Sequence, residues 1–250
     1  MSAMESKLIL YIRSSLFWAG FIITTVIFGL LILILFFTPS SFRLQIARLW
    51  SLSNNYLLKI ICGIDFVVEG QENLNRKNAI ILSKHQSTWE TISLHSFTPL
   101  VRWVFKRELM YIPIFGWALA LTDPIALNRG AGKAAINQLV KKGTEKLNDG
   151  KWIILFPEGT RTSPGKTHKY KIGGALLAEK SGYPVIPIAH NAGEFWPRHS
   201  FIKWPGTIKV VIGPAIESKG RTADEINKDV FDWIENTMKD ISDETRWNRK

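Results

Sequence analysis

A histidine and a carboxylate, His85 and Glu90, stand five positions apart after the apolar run 79–83. Histidine can act as a general base near neutral pH, and a carboxylate bonded to its second ring nitrogen fixes the tautomer and stabilises the imidazolium. Five residues turn a helix by about 500°, so the two side chains cannot share one helical face. They can meet only if His85 lies in a loop and Glu90 lies in the first turn of the next helix, which Ser87 or Thr88 could cap.

Basic residues follow three further apolar runs. Lys106, Arg129 and Arg161 each come shortly after one of them. Ligands of open α/β sheets collect at the carboxyl ends of the strands, so these side chains are expected near the His85 loop. Converging cations of this kind fit a phosphate group. Residues 161–171 also hold four lysines or arginines and no acidic residue, which suits either an anionic substrate or a solvated or lipid-facing loop.

The elements that must position these residues are short apolar strands alternating with helices. The predicted strands are 65–70, 79–83, 101–105, 123–127, 152–156, 184–189 and 207–213. Helical patterns cover 131–148 and 173–181, and a capping box from Thr222 to Glu225 opens a last helix. Such alternation predicts an α/β fold with a mostly parallel sheet flanked by helices.

The N-terminal segment 14–37 holds 24 residues without a charge. As a helix it would be about 36 Å long, enough to cross the ~30 Å hydrocarbon core of a bilayer. It is too long for the apolar part of a signal peptide, and no small-residue cleavage site follows it. We therefore expect a retained transmembrane helix.

A second, amphipathic helix is expected over residues 42–63. Basic and apolar residues interleave there, which favours a helix lying at the membrane interface, although an ordinary helix packed on the rest of the chain would show the same pattern. Pro39 should end the first helix, Ser40 and Ser41 could cap the second, and Gly63 could stop it.

Length and charge agree with this division. The chain has 250 residues, which suits one domain with an appendage: an N-terminal two-helix membrane anchor over 1–62 and a catalytic domain over 63–250. The net charge of +11 favours anionic partners such as lipid headgroups, phosphorylated substrates or nucleic acid. The single cysteine, Cys62, excludes an internal disulfide and a multi-cysteine zinc site, and it suits a small buried apolar residue better than a nucleophile.

Other candidate residues carry less chemistry. His95 is expected on a helix surface, and His190 and Glu194 are expected to have structural roles. No metal-ligand spacing occurs, and no glycine-rich nucleotide motif follows a strand. The aromatic segment 196–198 suits either a surface near the membrane or core packing.

Four ordered motifs carry a family resemblance. They are His85-x4-Glu90, KRELMYIPIFG at 106–116, FPEGTR at 156–161 and PVIPIA at 184–189. Together they resemble the glycerolipid acyltransferase family, closest to its 1-acylglycerol-3-phosphate acyltransferases, over about residues 63–215. The family commonly has aspartate where this chain has Glu90, so the carboxylate is kept on an arm longer by one methylene.

The resemblance implies a reaction and a set of roles. His85 would deprotonate the free hydroxyl of a lysophosphatidate, whose oxygen attacks an acyl thioester directly to give phosphatidate. The thioester, on coenzyme A or acyl-carrier protein, is a co-substrate, and no cofactor or metal is implied. The implied substrate-binding residues are Lys106, Arg129 and Arg161 for the phosphate, Glu158 and Gly159 for the glycerol site, and Thr160 beside them. Glu158 could instead pair with Arg161.

Alternatives stay open at this point. The acceptor could be glycerol-3-phosphate or another lysophospholipid, and with water as acceptor the chain would be a hydrolase. A different class is a non-enzymatic membrane protein that binds anionic lipid or nucleic acid, but the basic residues lie at strand ends beside a histidine–carboxylate pair and form no nucleic-acid motif. Both thioesters are cytosolic, so the catalytic domain is expected on the cytoplasmic face of a membrane, the inner membrane in a bacterium.

Overall fold

A seven-stranded sheet forms the centre of the computed structural model, which describes residues 6–247. The strands are Ile64–Glu69 (β1), Ile80–Ser83 (β2), Val101–Lys106 (β3), Ile125–Leu127 (β4), Trp152–Leu155 (β5), Val185–His190 (β6) and Gly206–Ile212 (β7). Their spatial order is β1-β7-β6-β2-β5-β3-β4, and every neighbouring pair is parallel except β6 with β7. All seven predicted strands are confirmed, and the carboxyl ends of β2 to β6 lie at one edge.

Helices cover both faces of this sheet. They are Lys7–Ile34 (α1), Ser40–Leu57 (α2), Trp89–Phe97 (α3), Phe115–Ala120 (α4), Lys133–Asn148 (α5), Gly173–Ser181 (α6) and Ala223–Ile241 (α7). Side chains alternate along a strand, so each strand serves both layers. Ile80 and Leu82 pack with α5, α6 and α7, whereas Ile81 packs with α1 and α3. Two-sided burial explains why the central strands are continuous apolar runs.

Local sequence signals set several helix bounds. The capping box at the start of α7 is present, with the Thr222 side chain and the Glu225 side chain each accepting the other's backbone N–H. Helix α6 has the predicted bounds, and α5 begins two residues later than predicted. Gly143 lets α5 and α6 approach, because a Cβ there would lie 2.7 Å from the Leu177 side chain.

The first helix begins earlier than the uncharged segment that predicted it. Helix α1 starts at Lys7, where the Ser6 side chain accepts the N–H of Ile9, and it ends at Ile34. Hydropathy marks the part of a helix that suits a membrane and ignores the capping residue that starts it. Among residues 6–247, α1 alone is long and apolar enough to cross a membrane. Most of its large apolar side chains are exposed, whereas Leu10 and Phe17 are buried against the rest of the chain.

The second helix departs from one prediction. The cap position is Pro39, and the Ser40 hydroxyl instead accepts a hydrogen bond from Arg102 at 3.2 Å, so the predicted serine cap is wrong. A π-helical turn, Leu58–Cys62, continues α2 and stops at Gly63, which has the left-handed φ of 65° that glycine tolerates. Cys62 is buried, and burial raises the pKa of its thiol to about 11, as expected of a structural cysteine.

One face of α2 packs on α1 and α3, and the opposite face is apolar and exposed. Leu44 and Ile46 are buried, whereas Leu49, Leu52 and Tyr56 are exposed. The Arg48 guanidinium donates to the carbonyls of His95 and Thr98, at the C-terminal end of α3, where a cation is favourable. The packed-helix alternative is therefore correct for this face, and its arginine serves the fold.

Candidate active site

His85 and Glu90 meet in the way that their spacing required. His85 lies in the loop after β2, and Glu90 is the second residue of α3. The His85 Nδ1 and Glu90 Oε1 atoms are 2.7 Å apart. The carboxylate is wholly buried, and 14% of the imidazole side chain is exposed. Because an ionised carboxylate only accepts, Nδ1 carries the proton and Nε2 is left as the basic nitrogen.

The same carboxylate oxygen also holds the loop backbone. Glu90 Oε1 accepts the N–H groups of Gln86 at 2.8 Å and Ser87 at 2.7 Å. Burial acts to raise the pKa of Glu90, but the imidazoles of His190 and His85 and the Ser87 N–H outweigh it, so the pKa lies below its usual value. Glu90 therefore stays ionised and serves both the imidazole and the start of the helix.

Stacking fixes the plane of the His85 ring. The imidazole lies on the Phe156 ring, with centroids 4.0 Å apart and planes 7° apart. Phe156 follows β5, the neighbour of β2 in the sheet. With Nδ1 bonded to Glu90, the ring can neither flip nor swing without losing a contact.

Hydrogen bonds from neighbouring segments hold the backbone of the His85 loop. The His85 N–H donates to Glu158 Oε1 at 3.0 Å, and the His85 carbonyl accepts the Thr162 N–H at 2.7 Å. The His190 Nε2–H donates to the Lys84 carbonyl at 2.8 Å. Burial lowers the pKa of His190. The structural role predicted for His190 is thus confirmed.

Glu158 lies under the loop and does not line the cavity beside His85. The expectation that it shapes an acceptor site does not fit this position, since its oxygens bond the His85 N–H and the Thr162 hydroxyl. Its cationic partner is Lys84, with Nζ at 3.4 Å, so the alternative pairing with Arg161 is also wrong. Burial raises the pKa of Glu158 to about 7.

A cavity of about 490 Å³ opens beside His85. Its mouth is polar and basic, and is formed by Lys106, Gly159, Thr160, Arg161, Arg198 and His199. Its interior is apolar and lies between the sheet and four helices, α1 to α4, with Phe21, Phe28, Ile32, Trp50, Phe105 and Leu119 in its walls.

Two of the three predicted cations share this cavity with His85. Lys106 is exposed at its rim and lies 3.2 Å from Glu108, and Arg161 lines the mouth. Gly159 turns the chain with a φ of 70°, and Thr160 is exposed beside it. Arg129 opens the short turn Arg129–Ala131 after β4, and its side chain lies outside the described part of the chain.

Arg198 and His199 also line the cavity, although no sequence motif indicated them. The Arg198 guanidinium donates to the Arg161 carbonyl at 2.5 Å and to His199 Nε2 at 3.2 Å. Both lie in the long connection after β6. Lys106 was predicted because it comes at the end of a strand, whereas Arg198 lies eight residues beyond the end of β6, too far for the same criterion. The neighbouring Trp196 is buried, which confirms core packing for that side chain.

His95 is buried and not on a helix surface, so that prediction is wrong. Its Nε2 accepts the indole N–H of Trp103 at 2.7 Å, and burial together with Arg48 lowers the pKa of His95 to about 4. Helix α2 covers this side of α3, which the periodicity of α3 alone could not show. His95 therefore adds a neutral imidazole to the cavity wall.

No cluster of metal-ligating side chains occurs within residues 6–247. The backbone N–H groups of His85, Gln86 and Ser87 already donate hydrogen bonds to carboxylates of the protein. The site thus offers a histidine with a buried carboxylate, a basic mouth and a deep apolar chamber.

Known proteins are similar to this chain in sequence and in fold. A family model described as acyltransferase matches residues 65–191. A Pseudomonas aeruginosa 1-acyl-sn-glycerol-3-phosphate acyltransferase is 49% identical over 190 residues, 75% of this chain and 74% of that protein. The Saccharomyces cerevisiae protein of the same name is 31% identical over 195 residues, 74% of this chain and 64% of its own. The crystal structure of the 1-acyl-sn-glycerophosphate (LPA) acyltransferase PlsC from Thermotoga maritima superposes with a TM-score of 0.78 at 25% identity, covering 97% of this chain and 98% of that one.

Proposed function

The chain belongs to the acyltransferase family, and we propose that it transfers a fatty acyl group to the free hydroxyl of 1-acyl-sn-glycerol-3-phosphate, which forms phosphatidate. The observation that carries this proposal is that a histidine–carboxylate pair, a basic mouth and an apolar interior meet in one cavity. The names of the similar proteins support the same acceptor.

His85 is the general base of the proposed reaction. Its Nε2 takes the proton of the acceptor hydroxyl while that oxygen attacks the thioester carbonyl, and Glu90 stabilises the imidazolium. The new C–O bond converts the carbonyl into a tetrahedral oxyanion, whose collapse breaks the C–S bond, and the proton passes from His85 to the leaving thiolate. Cys62 is buried and protonated, so it provides no acyl-enzyme. The oxyanion must find donors other than the three loop N–H groups that already bond carboxylates.

The basic mouth binds the phosphate. Lys106 and Arg161 are the predicted cations there, and Arg198 is a third. Arg129 is retained from its position after β4. A phosphate monoester carries nearly two negative charges at neutral pH, and arginine can bond it through two N–H groups. Gly159 and Thr160 line the same mouth, where the glycerol backbone of the acceptor would lie.

The apolar chamber holds a fatty acyl chain. Transferring each methylene from water into such a chamber contributes about 0.8 kcal/mol. The donor is an acyl thioester of coenzyme A or of acyl-carrier protein, and the exposed lysines of residues 161–171 suit the negative charges of either. The reaction as proposed needs no resident cofactor.

The exposed apolar faces of α1 and α2 support a two-helix membrane anchor over 1–62, with the chemistry in 63–250. Because the thioesters are cytosolic, the mouth of the cavity faces the cytoplasm in this proposal, at the inner membrane if the cell is bacterial. Membrane lipids and lysophosphatidate are then the partners, and acyl-carrier protein is one where it is the donor.

The test is phosphatidate formation by the purified full chain. Lysophosphatidate is supplied with labelled acyl-CoA and, separately, with acyl-carrier protein. We expect phosphatidate with at least one donor and a loss of about 10²–10⁴-fold in kcat for His85→Ala. His168→Ala is the matched control, because that histidine is exposed in a loop outside the cavity. Absence of product with both donors, while the protein still binds anionic vesicles, would favour the non-enzymatic alternative.

A further inference from the structure

A buried charge cluster lies beneath the catalytic loop and is not used by the proposed reaction. The Lys84 side chain is 1% exposed, and its Nζ lies 2.7 Å from Glu235 Oε1 and 3.4 Å from Glu158 Oε1. Glu235 belongs to α7, the last long helix of the chain. A lysine this deep is unfavourable unless carboxylates compensate its charge, so the position of Lys84 depends on both of them.

One branch of this cluster leads to the base. Lys84 is the residue directly before His85, and Glu158 accepts the His85 N–H at 3.0 Å. The second oxygen of Glu158 accepts the Thr162 hydroxyl. The lysine thus lies between the α7 carboxylate and the carboxylate that bonds the catalytic loop.

The other branch leads to the basic loop that begins at Arg161. The Tyr170 hydroxyl donates to Glu235 Oε1 at 2.8 Å, and the Thr167 hydroxyl donates to Glu235 Oε2 at 3.0 Å. Burial and the nearby carboxylates of Glu235 and Glu158 raise the pKa of Tyr170, so it keeps the proton it donates. A single carboxylate on α7 therefore bonds the loop of the base through Lys84 and the loop of the phosphate site through two hydroxyls.

We propose that Glu235 is a positioning residue that fixes the His85 loop and the Arg161 loop relative to each other. Helix α7 already has an apolar face that packs on the sheet, with Ile226, Val230 and Ile234 buried. Attachment of the helix does not require a buried ion pair, which apolar side chains could replace. The geometry of Glu235 instead matches a need to hold two separate loops at once.

The predicted effect separates the two branches. Glu235→Gln keeps the size, and its amide can still bond both hydroxyls, because its oxygen can accept from Tyr170 and its NH₂ group can donate to Thr167. It removes the charge facing Lys84, which is left with Glu158 alone. A displacement of about 1 Å at a catalytic group can reduce a rate on the order of 10²-fold, so we expect kcat to fall by 10-fold or more. Tyr170→Phe removes one bond of the other branch and should raise KM for lysophosphatidate about 2–10-fold with kcat little changed.

The experiment measures kcat, KM and amide hydrogen exchange on the full chain. Asp232→Asn is the matched control, since this carboxylate lies on the same helix and pairs with the exposed Lys228 at 2.6 Å. Faster exchange in residues 84–90 and 161–171 of Glu235→Gln, absent from Asp232→Asn, together with the kcat loss, supports the proposal.

A purely stabilising role has a different outcome. Glu235→Gln would then lower the melting temperature while exchange in the two loops and kcat per folded molecule stayed at the wild-type values, and the proposal would be overturned. The inference relies on the proposed function only for its kinetic readout. A wild-type chain without acyltransferase activity would refute that function, and the exchange measurement would still decide the role of Glu235.

Discussion

Replacing Glu90 by glutamine tests the charge that supports the base. Glu90 Oε1 accepts three hydrogen bonds, from His85 Nδ1 and the N–H groups of Gln86 and Ser87. Its other oxygen, Oε2, is buried without a hydrogen-bond partner among the described residues. In Glu90→Gln the amide carbonyl must face the three donors, and the NH₂ group then occupies the unpartnered position.

The magnitude follows from these contacts. A hydrogen bond to a charged group contributes about 1.5–3 kcal/mol, so losing the charge at 2.7 Å from the imidazolium should reduce kcat roughly 10–150-fold. The buried NH₂ group without an acceptor should lower the free energy of unfolding by about 1–3 kcal/mol. Glu90→Asp keeps the charge but withdraws it by one methylene, so its kcat should lie between those of the wild type and the glutamine variant.

The assay combines steady-state phosphatidate formation with denaturant unfolding of each variant. Glu217→Gln is the control, because that exposed carboxylate pairs with Arg76 at the surface. A glutamine variant with wild-type kcat would refute the role of Glu90 in catalysis. A glutamine variant faster than the aspartate variant would show that reach matters more than charge.

Four further predictions concern the mouth, the buried ionisable groups and the N-terminal helices. Arg161→Ala and Arg198→Gln should each raise KM for lysophosphatidate roughly 10–150-fold, and the increase should be larger for Arg161→Ala. An equal increase in KM for lysophosphatidylcholine would contradict a phosphate-monoester site. Burial raises the pKa of Glu158 from 4.5 to about 7, so between these pH values the folded protein retains a proton that the unfolded chain releases. The free energy of unfolding should therefore fall by about 3 kcal/mol as the pH rises through this range. Denaturant titrations should show this fall in the wild type and not in Glu158→Gln. Burial lowers the pKa of Lys203 from 10.5 to about 7, so between these pH values the folded protein has lost a proton that the unfolded chain retains. The free energy of unfolding should therefore rise with pH in this range, and Lys203→Met should remove that rise. Deleting residues 1–62 should give insoluble protein in sedimentation assays, and a soluble, active fragment would contradict this.

Features that depend on neighbours in the chain could be predicted from the sequence. The central strands β2, β3, β5 and β6 were predictable because their apolar runs are buried on both faces. Strands β1 and β7 were predictable from apolar runs that alternate between buried and more exposed positions. The His85–Glu90 contact was predictable because a loop followed by a first helical turn is the local geometry that joins residues five apart. The start of α7 followed from its capping box for the same reason.

Features that depend on what covers a residue were missed. Glu158 stands in a motif that suggests substrate contact, but Lys84 and the His85 N–H bind it under the loop. His95 has the periodicity of an exposed helix face until α2 packs over it. Arg198 reaches the mouth through a long connection whose path no local pattern specifies.

Helix α1 shows why the anchor and the site are not separable. Phe21, Thr25 and Phe28 line the cavity, whereas Ile22 and Ile27 of the same helix are exposed on its outer side. A helix with 3.6 residues per turn can present these two sets in opposite directions, so the same segment is both a wall of the apolar chamber and the exposed apolar surface of the proposed anchor. Removing α1 would therefore open the chamber to water as well as detach the protein, and a fragment lacking it should lose acyl-chain binding even where detergent keeps it in solution.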